Sequence, residues 1–81
     1  MAPGSDPPLV LQTMAGARRL TGLTNRQLRY YDRCGLVVPL RSSGNHRLYR
    51  PEDIERLLLV RDLLRSGLRV AEAARRLPPP P

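Results

Sequence analysis

Residues 24–34, TNRQLRYYDRC, concentrate side chains that could bind a polyanion. Three arginines, two tyrosines and one asparagine occur within these eleven positions. An arginine guanidinium presents a planar set of donors that matches a phosphate or the edge of a guanine, and an asparagine amide matches an adenine. The stretch therefore predicts contact with nucleic acid, although an ordinary solvated basic surface is the simpler alternative.

The positive charge of the chain is concentrated around this stretch. The 81 residues carry a formal net charge of +7, and all 14 basic residues are arginines. Residues 13–50 contain eight of these arginines against one acid, whereas the segments on either side are nearly neutral. A concentrated basic block of this kind is typical of a surface that binds a polyanion.

Other classes of protein fit the sequence poorly. The longest apolar run, at residues 57–60, is far shorter than the roughly 20 residues of a membrane span, and no secretory signal pattern opens the chain. The lone cysteine cannot form an internal disulfide, which favours the cytoplasm, and one cysteine with one histidine makes no metal cluster. Without a catalytic constellation or a glycine-rich phosphate loop, we predict no enzyme activity, no cofactor and no metal.

A helix must position the side chains of residues 24–34. Thr24 is a good N-cap, Gln27 completes a capping box three residues later, and Gly35 suits the position that follows a helix C-terminus. The predicted helix, at about 24–34, is preceded by a shorter one at 13–21, whose inward side chains would be those of Met14, Ala17 and Leu20. Two short helices joined by a glycine turn predict a helix-turn-helix.

Helix geometry separates the side chains of 24–34 into two faces. At 100° per residue, five polar side chains share an arc of about 140°; they belong to Asn25, Arg26, Arg29, Tyr30 and Arg33. The opposite face, which we expect to be buried, carries Leu28, Tyr31 and Cys34. One face therefore suits the core, and the other suits a nucleic-acid partner.

A basic hairpin is predicted next, at residues 38–49. The turn cluster at 42–45 separates VPLR from HRLY, and alternation puts Arg47 and Tyr49 on one side with Leu48 on the other. A hairpin directly after a helix-turn-helix is predicted to be a wing. The fold class is therefore mainly α with a small β-hairpin, a winged helix-turn-helix.

Two more helices complete the predicted domain, at about 51–66 and 70–77. The longer one has a core stripe and a second apolar face, formed by Leu59 and Leu63. Proline and glycine predict a disordered tail at 1–8, and prolines end the chain at 78–81. The folded domain is thus expected at 9–77.

The motifs together resemble the DNA-binding domain of the MerR family of bacterial transcriptional regulators. The resemblance rests on TGLTNRQLRYYDRCGLVVP, GNHRLYRPEDIERL and LRSGL, and covers about residues 13–77. In sequence, the first two stretches are similar to the small nitrogen-responsive members of the family. The resemblance implies a homodimer on a pseudo-palindromic operator in double-stranded DNA, acting in the cytoplasm, at the nucleoid, together with RNA polymerase.

The resemblance implies that the helix at 24–34 enters the major groove while the wing follows the DNA backbone. We expect base contacts from Asn25, Arg26 and Arg29 and a phosphate contact from Tyr30. The remaining residues of the predicted DNA-binding set are Thr24, Arg41, His46, Arg47, Tyr49 and Arg50. Most of the wing side chains would meet phosphates, although Arg47 could instead reach the minor groove.

The sequence departs from the family at the starts of the third and fourth helices. Arg50 and Arg69 stand where members often have serine or threonine, and an arginine cannot accept the hydrogen bond of an N-cap. We therefore expect both helices to begin less stably, with Arg50 serving as a further phosphate contact. The long dimerising helix and effector domain of the family are not found in these residues. An apolar piece at 9–11 is then the preferred dimer contact.

Two other functions fit the same residues. A DNA-architectural protein of the excisionase type would share the winged scaffold and small size but bend DNA with looser base specificity. A protein-interaction module would use the Leu59/Leu63 face and bind DNA weakly. Both are distinguished from a sequence-specific regulator by DNA affinity and base preference near physiological salt.

Overall fold

The computed structural model describes residues 10–79. The predicted tail at 1–8, together with Leu9 and the last two prolines, lies outside this range. Four helices and one hairpin follow in the order α1, α2, β1, β2, α3, α4. Their bounds are Met14–Thr21, Asn25–Arg33, Leu40–Arg41, Arg47–Leu48, Pro51–Arg65 and Val70–Arg76. The mainly α, winged helix-turn-helix architecture predicted from the sequence is confirmed.

The turn between α1 and α2 is held by a buried threonine. The Thr21 hydroxyl donates to the Ala17 carbonyl at 2.7 Å and accepts from the Leu23 amide at 3.2 Å. Gly22 adopts φ 76°, a left-handed conformation that glycine takes without the steric cost of a side chain. Arg61 of α3 donates to the Thr21 carbonyl at 3.1 Å, so the turn is also fixed to the helix beneath it.

The wing is a short hairpin, and the segment that precedes α1 pairs with the residue that follows it. β1 and β2 pair antiparallel with Leu40 opposite Leu48 and Arg41 opposite Arg47. Beyond β2, Gln12 and Tyr49 exchange both backbone hydrogen bonds, at 2.8 and 2.7 Å. A hairpin this small is marginal alone, so the segment that precedes α1 helps to stabilise it.

The core surrounds α3, which packs against both α1 and α4. Its buried side chains come from α1, α2, α3 and the segments between the elements; they are Ala17, Leu23, Leu28, Tyr31, Leu36, Val37, Tyr49, Leu57 and Val60. Burial of this apolar surface gives the main stabilisation of so small a domain. Because α2 contributes Leu28 and Tyr31, its opposite face is fixed outward.

One core contact is polar and was not predicted. The guanidinium of Arg56, on α3, is largely buried, and burial lowers its pKa. It donates to the Leu36 carbonyl after α2 and to the Pro78 carbonyl after α4. Hydrogen bonding to two backbone carbonyls compensates part of the cost of burying the charge, and it joins segments that are distant in sequence.

Two expectations about buried side chains are wrong. Leu20 is 51% exposed, and Thr21 takes the inward position at the end of α1, where it can satisfy the turn. Cys34 is exposed, because α2 ends at Arg33 and the chain turns away at Gly35, with φ 72°.

The expectation that α3 and α4 begin without capping is also incomplete. Neither Arg50 nor Arg69 accepts a cap bond through its side chain. Instead, the Asp53 carboxylate accepts from the Arg50 amide at 2.9 Å, and Glu72 accepts from the Arg69 amide at 3.1 Å. The acid three residues into each helix therefore supplies half of a capping box.

Candidate nucleic-acid interface

The first turn of α2 is fixed by the capping box that the sequence predicted. The Thr24 hydroxyl accepts from the Gln27 amide at 3.1 Å, and the Gln27 side chain accepts from the Thr24 amide at 2.9 Å. The Thr24 hydroxyl also lies 3.2 Å from the Gln27 side-chain oxygen. The hydrogen-bonding groups of Thr24 are thus engaged inside the protein, which makes its role one of positioning.

The polar arc of α2 faces solvent along its whole length. Its members are all exposed; they are Asn25, Arg26, Arg29, Tyr30 and Arg33. Within residues 10–79, none of the three arginines forms an ion pair. Their guanidinium donors therefore remain available to an external acceptor, and their charges add without internal compensation.

Tyr30 lies at one edge of the polar arc. Its ring leans on that of the buried Tyr31, with ring centroids 6.1 Å apart and planes tilted by 56°. A hydrogen bond with Cys34, one turn further on, raises the pKa of Tyr30, and burial raises the pKa of Tyr31. Tyr30 thus keeps its proton at neutral pH and can donate its hydroxyl to an anion.

The arginines of the wing differ from those of α2 because an acid from α2 holds them. Asp32 accepts through Oδ2 from Arg41 Nη2 at 2.7 Å and from Arg47 Nε at 2.8 Å. The Asp32 side chain is only 11% exposed, whereas those of Arg41 and Arg47 are 41% and 22% exposed. Each guanidinium therefore has further N–H groups beyond the one that it gives to Asp32.

Arg50 is more completely engaged within the protein. Its Nε and Nη2 donate to the two oxygens of Asp53, each at 2.9 Å, and hydrogen bonding to Asp53 raises the pKa of Arg50. Nη2 also lies 3.4 Å from the Val38 carbonyl. The Asp53 carboxylate is buried, so this pair joins the base of the wing to α3 more than it offers charge to a ligand.

Tyr49 does not fit its predicted role as a DNA contact, because it is only 1% exposed. The residue follows β2 directly, where its backbone pairs with Gln12, and its side chain belongs to the core. Burial raises the pKa of Tyr49, and its buried hydroxyl has no hydrogen-bond partner among residues 10–79. His46, by contrast, is exposed in the turn of the wing, as a contact residue would need to be.

A basic depression extends the polar arc toward α1. It is an open surface feature of about 740 Å³ at the N-terminal end of α2, and Arg18, Arg19 and Arg26 line it. Neither of the two α1 arginines was in the predicted DNA-binding set. Their i, i+1 spacing in a short helix gave no signal that both would border the same depression as Arg26.

Metal-ligand clusters and membrane-spanning helices are two features that the described part of the chain lacks. Over residues 10–79 no cluster of three or more histidine, cysteine, aspartate or glutamate side chains could hold a metal. No helix in the same range has the length and apolar character to cross a bilayer.

The family described as MerR HTH family regulatory protein matches residues 13–78. The HTH-type transcriptional regulator GlnR of Bacillus anthracis is 48% identical over 52 residues, which cover 64% of this chain and 40% of that protein. The regulator TnrA of Bacillus subtilis (strain 168) is 43% identical over 53 residues, covering 65% and 48%. The chain therefore corresponds to less than half the length of these relatives.

Two solved structures share the fold. A MerR family transcriptional regulator from Bacillus cereus has a TM-score of 0.78 at 26% identity, covering 83% of this chain and 51% of that chain. HiNmlR is described as a MerR family regulator that lacks the sensor domain and is bound to promoter DNA. It has a TM-score of 0.74 at 26% identity, covering 83% and 54%.

Proposed function

This chain belongs to the MerR family of helix-turn-helix regulatory proteins, and we propose on that premise that it binds double-stranded DNA and regulates transcription. The polar arc of α2 carries the proposal, because it places three arginines that form no ion pair within residues 10–79 on the outer face of a helix whose other face is in the core. Relatives that are transcriptional regulators and a promoter-bound structural neighbour support it. They also favour a protein that is not an enzyme.

In the proposed complex, α2 enters the major groove. Asn25, Arg26 and Arg29 read base edges, since arginine can bond guanine bidentately and asparagine can bond adenine. Tyr30 donates to a phosphate, and Thr24 fixes the first turn of the helix. Arg18 and Arg19 border the basic depression and face the sugar-phosphate backbone.

The wing is proposed to contact phosphates beside the groove that α2 occupies. Arg41 and Arg47 keep N–H groups that Asp32 does not use, and His46 lies exposed at the tip. Tyr49 is withdrawn from the DNA-binding set because it is buried. Arg50 holds the wing to α3 through Asp53.

We propose that two copies bind one pseudo-palindromic operator, since a helix-turn-helix reads a two-fold site with two copies at fixed spacing. Val10 and Leu11 are each about half exposed next to the wing bridge, which suits a small interface between copies. Weak association in solution would then be strengthened by adjacent half-sites. Sedimentation with and without a palindromic duplex tests this, and one protomer per full site at saturation would contradict it.

The working unit is proposed to be a single DNA-binding domain at 9–77, acting at the chromosome in the bacterial cytoplasm and influencing RNA polymerase there. Repeated selection from random duplexes, followed by footprinting, tests the function. We expect enrichment of a two-fold site protected by two copies. Binding without any enriched sequence would favour the architectural alternative.

A protein-interaction function is the second candidate, supported by the exposure of Leu59. This side chain is half exposed on α3 and borders a depression with Leu77 and Pro78. Negligible DNA affinity near physiological salt, combined with loss of a protein partner on Leu59→Glu, would favour this face over the polar arc as the functional surface.

A further inference from the structure

The carboxylate of Asp32 stands at the junction of α2 and the wing. Its Oδ2 accepts from both Arg41 and Arg47, over sequence separations of 9 and 15 residues. Among residues 10–79 these are the only hydrogen bonds that join α2 to the paired strands. Two of the surfaces proposed to touch DNA are thus held in relation to each other by one side chain.

The arrangement of the strands explains why an acid is needed there. Arg41 and Arg47 lie directly opposite each other in the β1–β2 register. Like charges in that position repel, and such pairs destabilise a hairpin. Asp32 lies between them and offsets the repulsion, so without it the two guanidinium groups would separate and the hairpin would loosen.

The same contact orients the two guanidinium groups toward an outside ligand. Each gives one nitrogen to a carboxylate that is itself nearly buried, which fixes a long side chain that otherwise samples many rotamers. The nitrogens that Asp32 does not use remain available as donors. Fixing them before binding reduces the entropy lost when a phosphate is bound.

We propose that Asp32 is a positioning residue for DNA binding, which holds the wing arginines in their phosphate-binding geometry and sets the wing against α2. This inference rests on the proposed function. The proposal predicts a change in DNA affinity opposite to the one expected from charge alone, because Asp32 is the sole acid among residues 13–50 and lies next to the DNA-facing surface. Simple electrostatics predicts that removing this negative charge strengthens DNA binding, whereas positioning predicts that it weakens binding.

The test is Asp32→Asn, which keeps the shape of the side chain and makes the protein one unit more positive. We expect the affinity for a selected duplex to fall about three- to tenfold, in the range of coupling between contacting residues. The slope of log affinity against log salt should become shallower by about one, as held phosphate contacts are lost. An unchanged or higher affinity would overturn the proposal.

The matched control is Asp62→Asn, which makes the same chemical and charge change on α3. Asp62 is exposed, and among the described residues its side chain pairs with its neighbour Arg61 alone, so its loss should not weaken DNA binding. Thermal melting of both variants identifies how much of each is folded at the assay temperature. A loss of affinity in Asp62→Asn equal to that in Asp32→Asn would show a general effect and overturn the proposal.

A double-mutant cycle separates positioning of the wing from support of α2 alone. In a background with Arg41→Ala and Arg47→Ala, the substitution Asp32→Asn should change DNA affinity less than about twofold. A penalty that persists in that background would mean that Asp32 acts through α2 alone. If the unmodified protein does not bind DNA, both this inference and the proposed function fail; if it binds and Asp32→Asn binds equally well, only this inference fails.

Discussion

The arginines of α2 and those of the wing are used in opposite ways. Within residues 10–79, Arg26, Arg29 and Arg33 form no ion pair. Each arginine of the wing and its base, by contrast, forms an ion pair with an aspartate. Free arginines keep full charge and can adjust to the base edges they meet, but they lose rotamer entropy on binding. The charge of a held arginine is partly offset by the internal acid. Its side chain, however, loses less conformational entropy when it binds a phosphate.

The difference suggests a division between reading sequence and fixing register. Base contacts carry sequence information, while phosphate contacts fix the orientation of the protein on the duplex. Adjustable side chains lie on the most rigid support, a capped helix anchored by Leu28 and Tyr31. The short two-stranded wing needs its side chains fixed, because its backbone is the weaker support.

Salt is the condition to which both regions should respond most strongly. With about 5–8 phosphate contacts per protomer, the slope of log affinity against log salt should be about −0.9 per contact. Raising the salt concentration from about 50 to 200 mM should then lower affinity by about three to four orders of magnitude. Fluorescence anisotropy over a salt series measures this. A slope shallower than about −2 would exclude a charge-driven interface in either region.

Arg26→Ala and Arg29→Ala test whether the arginines of α2 read the DNA sequence. Each should cost about 1–3 kcal/mol on the selected site and much less on random DNA, because a bidentate base contact is lost. Titration of both duplexes measures the difference. Arg75→Ala is the control, since it removes an equally exposed arginine from α4. Equal losses on both duplexes would reassign these side chains to phosphate contacts and remove the distinction from the wing.

Arg47→Ala tests the wing side. We expect a smaller and uniform loss on selected and random DNA, with the salt slope reduced by about one, because one phosphate contact disappears. The same titrations measure it. A loss confined to the selected site would place Arg47 in a groove as a reader of sequence, and the proposed division would then be wrong.

Tyr49→Phe should have the smallest effect of the set. Removing a buried hydroxyl that lacks a partner among residues 10–79 should raise the free energy of unfolding by about 0.5–1 kcal/mol. DNA affinity should not change, because the side chain is in the core. Chemical denaturation and titration measure the two quantities. Loss of DNA affinity with unchanged stability would restore the direct contact that the sequence suggested.

The sequence predicted best what depends on local geometry. The Thr24–Gln27 capping box and the outward face of α2 follow from spacing within a single helix, and both are present in the structure. The acids that begin α3 and α4 were also visible three residues after Arg50 and Arg69. A carboxylate at that position can accept from the cap amide, so this half of each capping box could have been predicted from local spacing.

The sequence could not indicate contacts that depend on how elements meet. The sequence showed Asp32 merely as the one acid among the eight arginines of residues 13–50, because its partners come from strands up to 15 residues away. Tyr49 was assigned to DNA with Arg47, because nothing in its local pattern shows that the core covers this position. The burial of Arg56 likewise depends on carbonyls 20 and 22 residues away.

The bridge between Gln12 and Tyr49 has a consequence for how the molecule opens. Each of the two amides donates to the carbonyl of the other residue. The segment before α1 and the base of the wing must therefore separate in a single local unfolding event before either amide can exchange. Hydrogen exchange at these two positions should therefore show matching protection factors. Ordering of the wing on a duplex would slow exchange in the segment before α1, and a second protomer held through Val10 and Leu11 would protect the base of the wing.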